Sequence, residues 1–352
     1  MKLFFRENFL FTTITAAFLV GAYLLPKPPG TAGNFNPSMY LYSIDILVRY
    51  AVAFIAIIFI KDLILNFSNG YGTIFTSINN IKINYLRPAR LFGFILLLLL
   101  TPVYFFSYTT FKRSMNQAKP FLFDEYFKDL DYLLHAGNHP WELLLPLSQN
   151  ANVILFFDWL YSHGWYISWI TIFTWAAWTV DRRTRWIFFA NFCLAWILLG
   201  TFMANMLSSA GPCYFDKVTG SLGPYLPLFE HLNSICREPP LSALSGQKLL
   251  WEAYLGGALI EGAGISAMPS MHLSIMTTCT LGAWALNRVV GCIYIILTGC
   301  FLVGSVLLGW HYAVDGYVSI FLTVLLWYLL AKVADAKFDN DSKAAAIDHH
   351  EL

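Results

Sequence analysis

The chain has 352 residues, 57% of them hydrophobic and 12% charged, about half the charged fraction of an ordinary soluble domain. Its mean hydropathy of +0.57 and net charge of +1 place it among polytopic helical membrane proteins and give no basis for a nucleic-acid partner. It carries no phosphate-cradling glycine loop, no dinucleotide fingerprint and no Cys/His cluster of structural-zinc spacing, so no cofactor or metal is expected.

About eight apolar spans follow along the chain: 8–25, 40–61, 89–108, 163–180, 185–208, 268–287, 289–309 and 312–333. Each is near the ~20 residues that cross the hydrocarbon core. The first follows Lys2 and Arg6 and could serve as a signal peptide. No small-x-small cleavage site precedes Pro26-Lys27-Pro28-Pro29, and we read it as a retained anchor. In the second span Asp45 and Arg49 stand four apart, a spacing that allows an intrahelical ion pair and lowers the insertion cost. Basic residues flank alternate connections: Lys61, Lys82, Arg87 and Arg90, then Arg182, Arg183 and Arg185, then Arg288, then Lys332 and Lys337. By the positive-inside rule both termini are cytoplasmic, and the long loops 109–162 and 209–267 lie outside with His272 and His311. The short loops lean toward a bacterial inner membrane.

Within the first outer loop, Leu130 to Leu144 mixes apolar and polar residues in the manner of a short interfacial helix. It reads either as a lid packed on the bundle or as a frame where a head group is admitted. Cys193, Cys279, Cys292 and Cys300 fall in spans as apolar fillers, while Cys213 and Cys236 share the second outer loop and are available for a disulfide on an oxidising side. The tail from Ala334 to Leu352 is polar, short and expected to be disordered. The implied organisation is 1–88, two helices and a cytoplasmic loop; 89–333, a six-helix core with both outer loops; and 334–352, the tail.

The chemistry concentrates in Ala267-Met268-Pro269-Ser270-Met271-His272 and Trp310-His311-Tyr312-Ala313-Val314-Asp315. An apolar hairpin separates the two and returns His311 to the face that carries His272. His311 and Asp315, at i and i+4, share one helix face, where a carboxylate on one imidazole nitrogen fixes the tautomer and sharpens the other as a nucleophile. His272 can protonate a leaving alkoxide, and Ser270 with the first N–H groups of its helix can hold phosphate oxygens. Pro269 suits a helix start. Either histidine alone reads as a satisfied structural residue. Two at span ends on one face, one with a carboxylate a turn away, read as a site.

Pro269-Ser270-Met271-His272 followed by His311-Tyr312-Ala313-Val314-Asp315 resembles the type-2 phosphatidic acid phosphatase superfamily over roughly residues 89–333. The resemblance implies a polytopic helical bundle with a six-helix core, the first two spans being an addition. It also implies His311 as the nucleophile that forms a phosphohistidine, Asp315 as its orienter, and His272 as general acid and later base. The phosphatase branch carries Ser-Arg seven and six residues before its nucleophile; Gly304 and Ser305 stand there in this chain. A Lys-x6-Arg-Pro motif is not expected on the outer side, and Lys82-x4-Arg87-Pro88 has the wrong spacing and a cytoplasmic position. The arginine-free pattern, with Gly137-x-x-Pro140-Trp141 and Ser209-Ala210-Gly211-Pro212-Cys213-Tyr214, is similar to the inositol phosphorylceramide and sphingomyelin synthase branch.

Some cation must replace the arginine. Lys112, Arg113, Lys119, Lys217 and Arg237 lie in the outer loops, and Lys217 and Arg237 are favoured because their loop leads into the His272 helix. Glu252 and Glu261 either orient an acceptor hydroxyl or face water. The expected activity is transfer of a phosphoryl or phospho-head-group from a lipid, of the inositolphosphotransferase type, with a lipid phosphate substrate and a lipid alcohol acceptor as partners. The alternatives are a lipid phosphate or prenyl pyrophosphate phosphatase and, from other classes, a lipid transporter or a silent scaffold. The absence of an internal repeat argues against the transporter. Retention of His272, His311 and Asp315 together argues against the scaffold.

Overall fold

The computed structural model describes residues 2–25, 44–49, 52–53, 55–57, 60–61, 63–64, 79, 88–118, 121–179, 181–235, 240–256 and 264–348. Among them the regular structure is helical throughout. Helices α1 (Lys2–Leu24) and α2 (Pro88–Ala118) pack side by side. Two short helices follow, α3 (Asp124–Leu134) and α4 (Pro140–Ser148). Next come α5 (Ala151–Trp178) and α6 (Arg182–Met206), each interrupted by a π-helical stretch. The second outer loop folds into α7 (Leu226–Ile235) and α8 (Ser242–Gly256), and the chain ends with α9 (Met271–Leu286), α10 (Arg288–Leu307) and α11 (Ala313–Asp348).

Helix α9 is the axis of the bundle, packed against α5, α6, α10 and α11. Its sequence explains the position. Ser274, Thr277, Thr278, Cys279, Gly282 and Ala283 are small and buried, which lets four neighbours approach a single helix closely. At Gly282 a Cβ would sit 2.6 Å from the Phe188 ring of α6. The Thr278 hydroxyl is satisfied within the bundle: it donates to Asn191 Oδ1 at 2.7 Å, and the Asn191 amide donates to the Thr323 carbonyl of α11 at 3.3 Å. An aromatic core from α2, α5 and α6 closes the other side, where Phe173 meets Phe189 and Phe192 edge to face at 5.0 and 5.4 Å.

Four described helices, α2, α6, α10 and α11, are long and apolar enough to cross a membrane, or five if the bent pair α4 and α5 forms one broken span. The chain is a polytopic α-helical membrane protein, but this criterion stops short of eight spans. The expected sixth span is α9, whose 16 residues reach about 24 Å against a ~30 Å hydrocarbon core. The expected second span lies largely outside the described residues, although Arg49 Nε does pair with Asp45 Oδ2 at 2.8 Å.

Two further expectations change. The interfacial segment forms two helices, α3 and α4, broken at Ala136-Gly137, where both residues have positive φ. The tail is not disordered through its length: α11 continues to Asp348, because Lys343-Ala344-Ala345-Ala346 has high helix propensity and extends an existing helix without a new nucleus.

Candidate functional site

The α9–α10 hairpin brings the two sequence motifs together as the spacing predicts. Asn287 ends α9 and caps α10, accepting from Val289 N–H and Val290 N–H at 2.9 and 3.1 Å, so the reversal is tight. The Ser270 N–H then donates to the Asp315 carbonyl at 3.4 Å, joining the start of α9 to the start of α11.

His311 lies in the loop between α10 and α11. Its N–H and that of Trp310 both donate to the Ser305 carbonyl, at 3.2 and 2.9 Å. Its Nδ1 lies 3.1 Å from Asp315 Oδ2, which also accepts the Tyr312 N–H at 3.0 Å. One carboxylate oxygen thus orients the imidazole and satisfies the first turn of α11 in the manner of half a capping box. Asp315 is fully buried and its Oδ1 has no hydrogen-bond partner. Burial first, then the Lys112 charge, push His311 down from its ordinary value to about 3, with the Ala267 carbonyl pulling the other way. The imidazole is therefore neutral at physiological pH.

His272 opens α9. Its ring stacks on Tyr161 of α5 at 4.3 Å and 15°, with Trp165 4.7 Å away on the same helix. Ser270 is the N-cap residue of α9 but makes no side-chain cap bond, and its hydroxyl is buried without a partner. An α-helix start leaves its first N–H groups unpaired and carries partial positive charge, so the mouth of α9 is built for an anion.

The start of α11 is occupied differently. Its Ala313 and Val314 N–H groups donate to the two oxygens of Asp131, at 2.7 and 2.9 Å. Seven residues earlier on the same face of α3, Asp124 accepts from Ala210 N–H at 2.9 Å, Gly211 N–H at 2.8 Å and Tyr312 O–H at 2.9 Å. Helix α3 is therefore a strap across the site, with Asp124, Phe127 and Asp131 turned inward and Leu133 and Leu134 exposed. Burial raises both carboxyls above the ordinary aspartate value, and the N–H bonds they accept oppose the rise.

The Ser209–Tyr214 run completes the frame. The Ser209 carbonyl accepts from Ala267 N–H at 2.9 Å, its hydroxyl oxygen from Met268 N–H at 3.1 Å, and Cys213 N–H donates to Gly309 at 3.0 Å. Gly211, at φ +96°, would bring a Cβ within 2.6 Å of the Trp310 carbonyl. This run ties the loops before both histidines to one another. Cys213 carries a free thiol, and Cys236 lies outside the described residues.

Of the expected site residues, His272, His311, Asp315 and Ser270 converge. Lys217 lies elsewhere: its ammonium sits 4.8 Å above the Trp251 ring and acts on Cys213. Arg237 is outside the described residues, as are Lys119 and Glu261, while Glu252 faces Lys248 on the exposed side of α8. Among the described residues, Lys112 of α2 is a cation whose charge acts on both histidines. Its stem passes over Gly264, at φ +125°, where a Cβ would lie 2.7 Å from Lys112 Cγ. Lys112 stands in Lys112-x6-Lys119-Pro120, the spacing of Lys-x6-Arg-Pro with lysine for arginine. A variant of that motif is therefore present on the expected outer side, and a search that accepted either basic residue finds it. Asp124 and Asp131 also escaped the sequence reading; their signal is two acids seven apart on the stripe that carries Phe127.

Among the described residues no group of three or more His, Cys, Asp or Glu side chains is arranged to hold a metal. The fold and this constellation describe an integral membrane protein with two histidines and a carboxylate gathered at the helix starts of one bundle end. A sequence profile of the PAP2 superfamily matches residues 129–329, more than half of the chain, and spans both histidines. The chain belongs to the PAP2 superfamily, typically membrane-associated enzymes of the phosphatase and phosphotransferase type. No curated protein and no solved structure matches it.

Proposed function

We propose that this protein is a lipid phospho-head-group transferase of the inositolphosphotransferase type that works through a phosphohistidine on His311, with the site at the outer face of a bacterial inner membrane. The observation that carries the reading is the buried His311 Nδ1–Asp315 Oδ2 contact of 3.1 Å, which leaves Nε2 of a neutral imidazole for phosphorus. The Nε2 lone pair forms the N–P bond as the P–O bond to the departing alcohol breaks, and His272 gives that alkoxide its proton. In the second half, the acceptor hydroxyl passes its proton to His272 and attacks phosphorus as the N–P bond breaks. Lys112, Ser270 and the first N–H groups of α9 bear the charge on the equatorial oxygens, a task for which Gly304-Ser305 provides no arginine. The strap α3, pinned over the site by two buried aspartates, favours transfer over hydrolysis because it limits the approach of water.

A product assay in mixed micelles tests this. Wild type, His311→Ala and His272→Ala meet labelled phosphatidic acid, phosphatidylinositol and a prenyl pyrophosphate, with and without ceramide or diacylglycerol. The expected result is a new labelled lipid only when an acceptor is present, abolished in both variants at an unchanged unfolding midpoint. Free phosphate from wild type without acceptor would make the protein a hydrolase. Full activity in His311→Ala would remove the proposed nucleophile.

A further inference from the structure

Tyr161 is a second kind of group in this site. It sits in the π-helical stretch Leu160–Gly164 of α5, a local widening that re-aims side chains and recurs at functional sites. The residue is only 4% exposed, yet its hydroxyl makes no hydrogen bond. A phenol buried only for packing would be better replaced by phenylalanine, because an unpaired buried hydroxyl costs stability. The ring is fixed from both sides, stacked on His272 at 4.3 Å and on Trp310, the residue before His311, at 6.2 Å and 18°. Asp315 and Cys213 act on its hydroxyl by charge, and Ser270 acts on it as a hydrogen-bonding neighbour short of full hydrogen-bond geometry. Asp315 and Ser270 mark the starts of α11 and α9, the two helices between which a phosphoryl group must lie to touch both histidines. The Ser270 hydroxyl likewise lacks a partner of full hydrogen-bond geometry, so two buried hydroxyls stand near one another in that gap with room in their hydrogen bonding for a third group.

We propose that the Tyr161 O–H donates a hydrogen bond to a non-bridging oxygen of the transferring phosphoryl group, a neutral donor doing part of what the absent arginine would do. The inference rests on the reading of His311 as nucleophile. Tyr161 holds its oxygen by ring stacking rather than by a hydrogen-bonded partner, so the donor is free when the phosphoryl group arrives and strongest as charge builds on the equatorial oxygens. The same stacking keeps His272 from rotating away from the leaving oxygen.

The test is an orthovanadate titration of the full chain in detergent, read by thermal stabilisation, for wild type, Tyr161→Phe and His311→Ala. Vanadate adopts the trigonal-bipyramidal shape of a transferring phosphoryl group, and phenylalanine keeps the ring stack while removing the donor. We expect Tyr161→Phe to bind vanadate about tenfold more weakly, the equivalent of one hydrogen bond, with its vanadate-free unfolding midpoint unchanged or raised, since the hydroxyl it loses is buried without a full partner. In turnover, kcat should fall with little change in KM. Equal vanadate affinity in wild type and Tyr161→Phe overturns the proposal. So does a Tyr161→Phe chain that fails to fold, because the hydroxyl would then serve the structure. Absence of vanadate binding by wild type overturns the phosphoryl site altogether. If His311→Ala binds vanadate as wild type does while Tyr161→Phe does not, the nucleophile is misassigned and the donor stands.

Discussion

His311 shows how one residue's environment sets its chemistry. An exposed imidazole is partly charged near neutrality, and a protonated nitrogen cannot attack phosphorus. Burial pushes His311 down to about 3 and keeps the imidazole neutral, the form the proposed attack requires. With a phosphodiester substrate, which does not titrate in this range, the acid limb of kcat/KM should therefore fall well below pH 6.5; a limb near 6.5 would mean an exposed imidazole. Lys112 and Lys217 differ in the same way. Both are expected on the outer side, but the charge of one acts on both histidines and the other rests on Trp251. Lys112→Ala should lower kcat/KM on the order of 100-fold, as loss of a phosphoryl-oxygen partner does, whereas Lys217→Ala should change it only a few-fold. Steady-state kinetics on the two variants decides between them. Sequence placed both in the outer loops and favoured Lys217 by proximity along the chain. The error is physical: α2 carries Lys112 to the site through space.

At the scale of elements, the decisive piece is α3, a helix that touches no reacting atom. Asp131 offers two oxygens to two N–H groups at the start of α11. Asparagine offers one acceptor and presents a donor to the other N–H. Asp131→Asn should thus lower stability by about 1–2 kcal/mol, the range for a lost cap, and reduce kcat by displacing the first turn that carries Asp315. Chemical denaturation and kinetics on the same preparation would show both effects. Gly211 belongs to the same framework. Its positive φ and its approach to the Trp310 carbonyl leave no room for a Cβ, so Gly211→Ala should shift the loop that holds His311 and reduce turnover more than it reduces expression. The amphipathic character of this region was legible in Leu130 to Leu144. Its job as a strap was not, because capping in trans depends on which helix start lies beneath it.

For the whole molecule, burying neutral histidine in a membrane bundle makes stability depend on pH. The folded value of His311, about 3, lies below the roughly 6.5 of an unfolded chain. As pH falls, the unfolded chain takes up the proton first. The stability gained by keeping His311 neutral is complete above about 6.5 and is lost as pH falls toward 3. Unfolding midpoints in detergent between pH 7.5 and 4.5 should therefore decline more steeply for wild type than for His311→Ala. Parallel slopes would show that the site opens to water before the bundle unfolds.

Composition and hydropathy determined the class of this protein, because ~20-residue apolar stretches with few charges have no stable home outside a bilayer. The two motifs, separated by one hairpin length, determined that His272 and His311 meet, since an antiparallel pair of similar helices returns the chain to its starting face. Tertiary structure alone decided the rest. It set the place of α9, whose small residues let four neighbours pack on it, and it brought the charge of Lys112 to bear on both histidines. It also placed Asp124 and Asp131 on the N–H groups of Ala210, Gly211, Ala313 and Val314, and the Tyr161 ring on His272, partners far away in sequence and adjacent only after the helices pack.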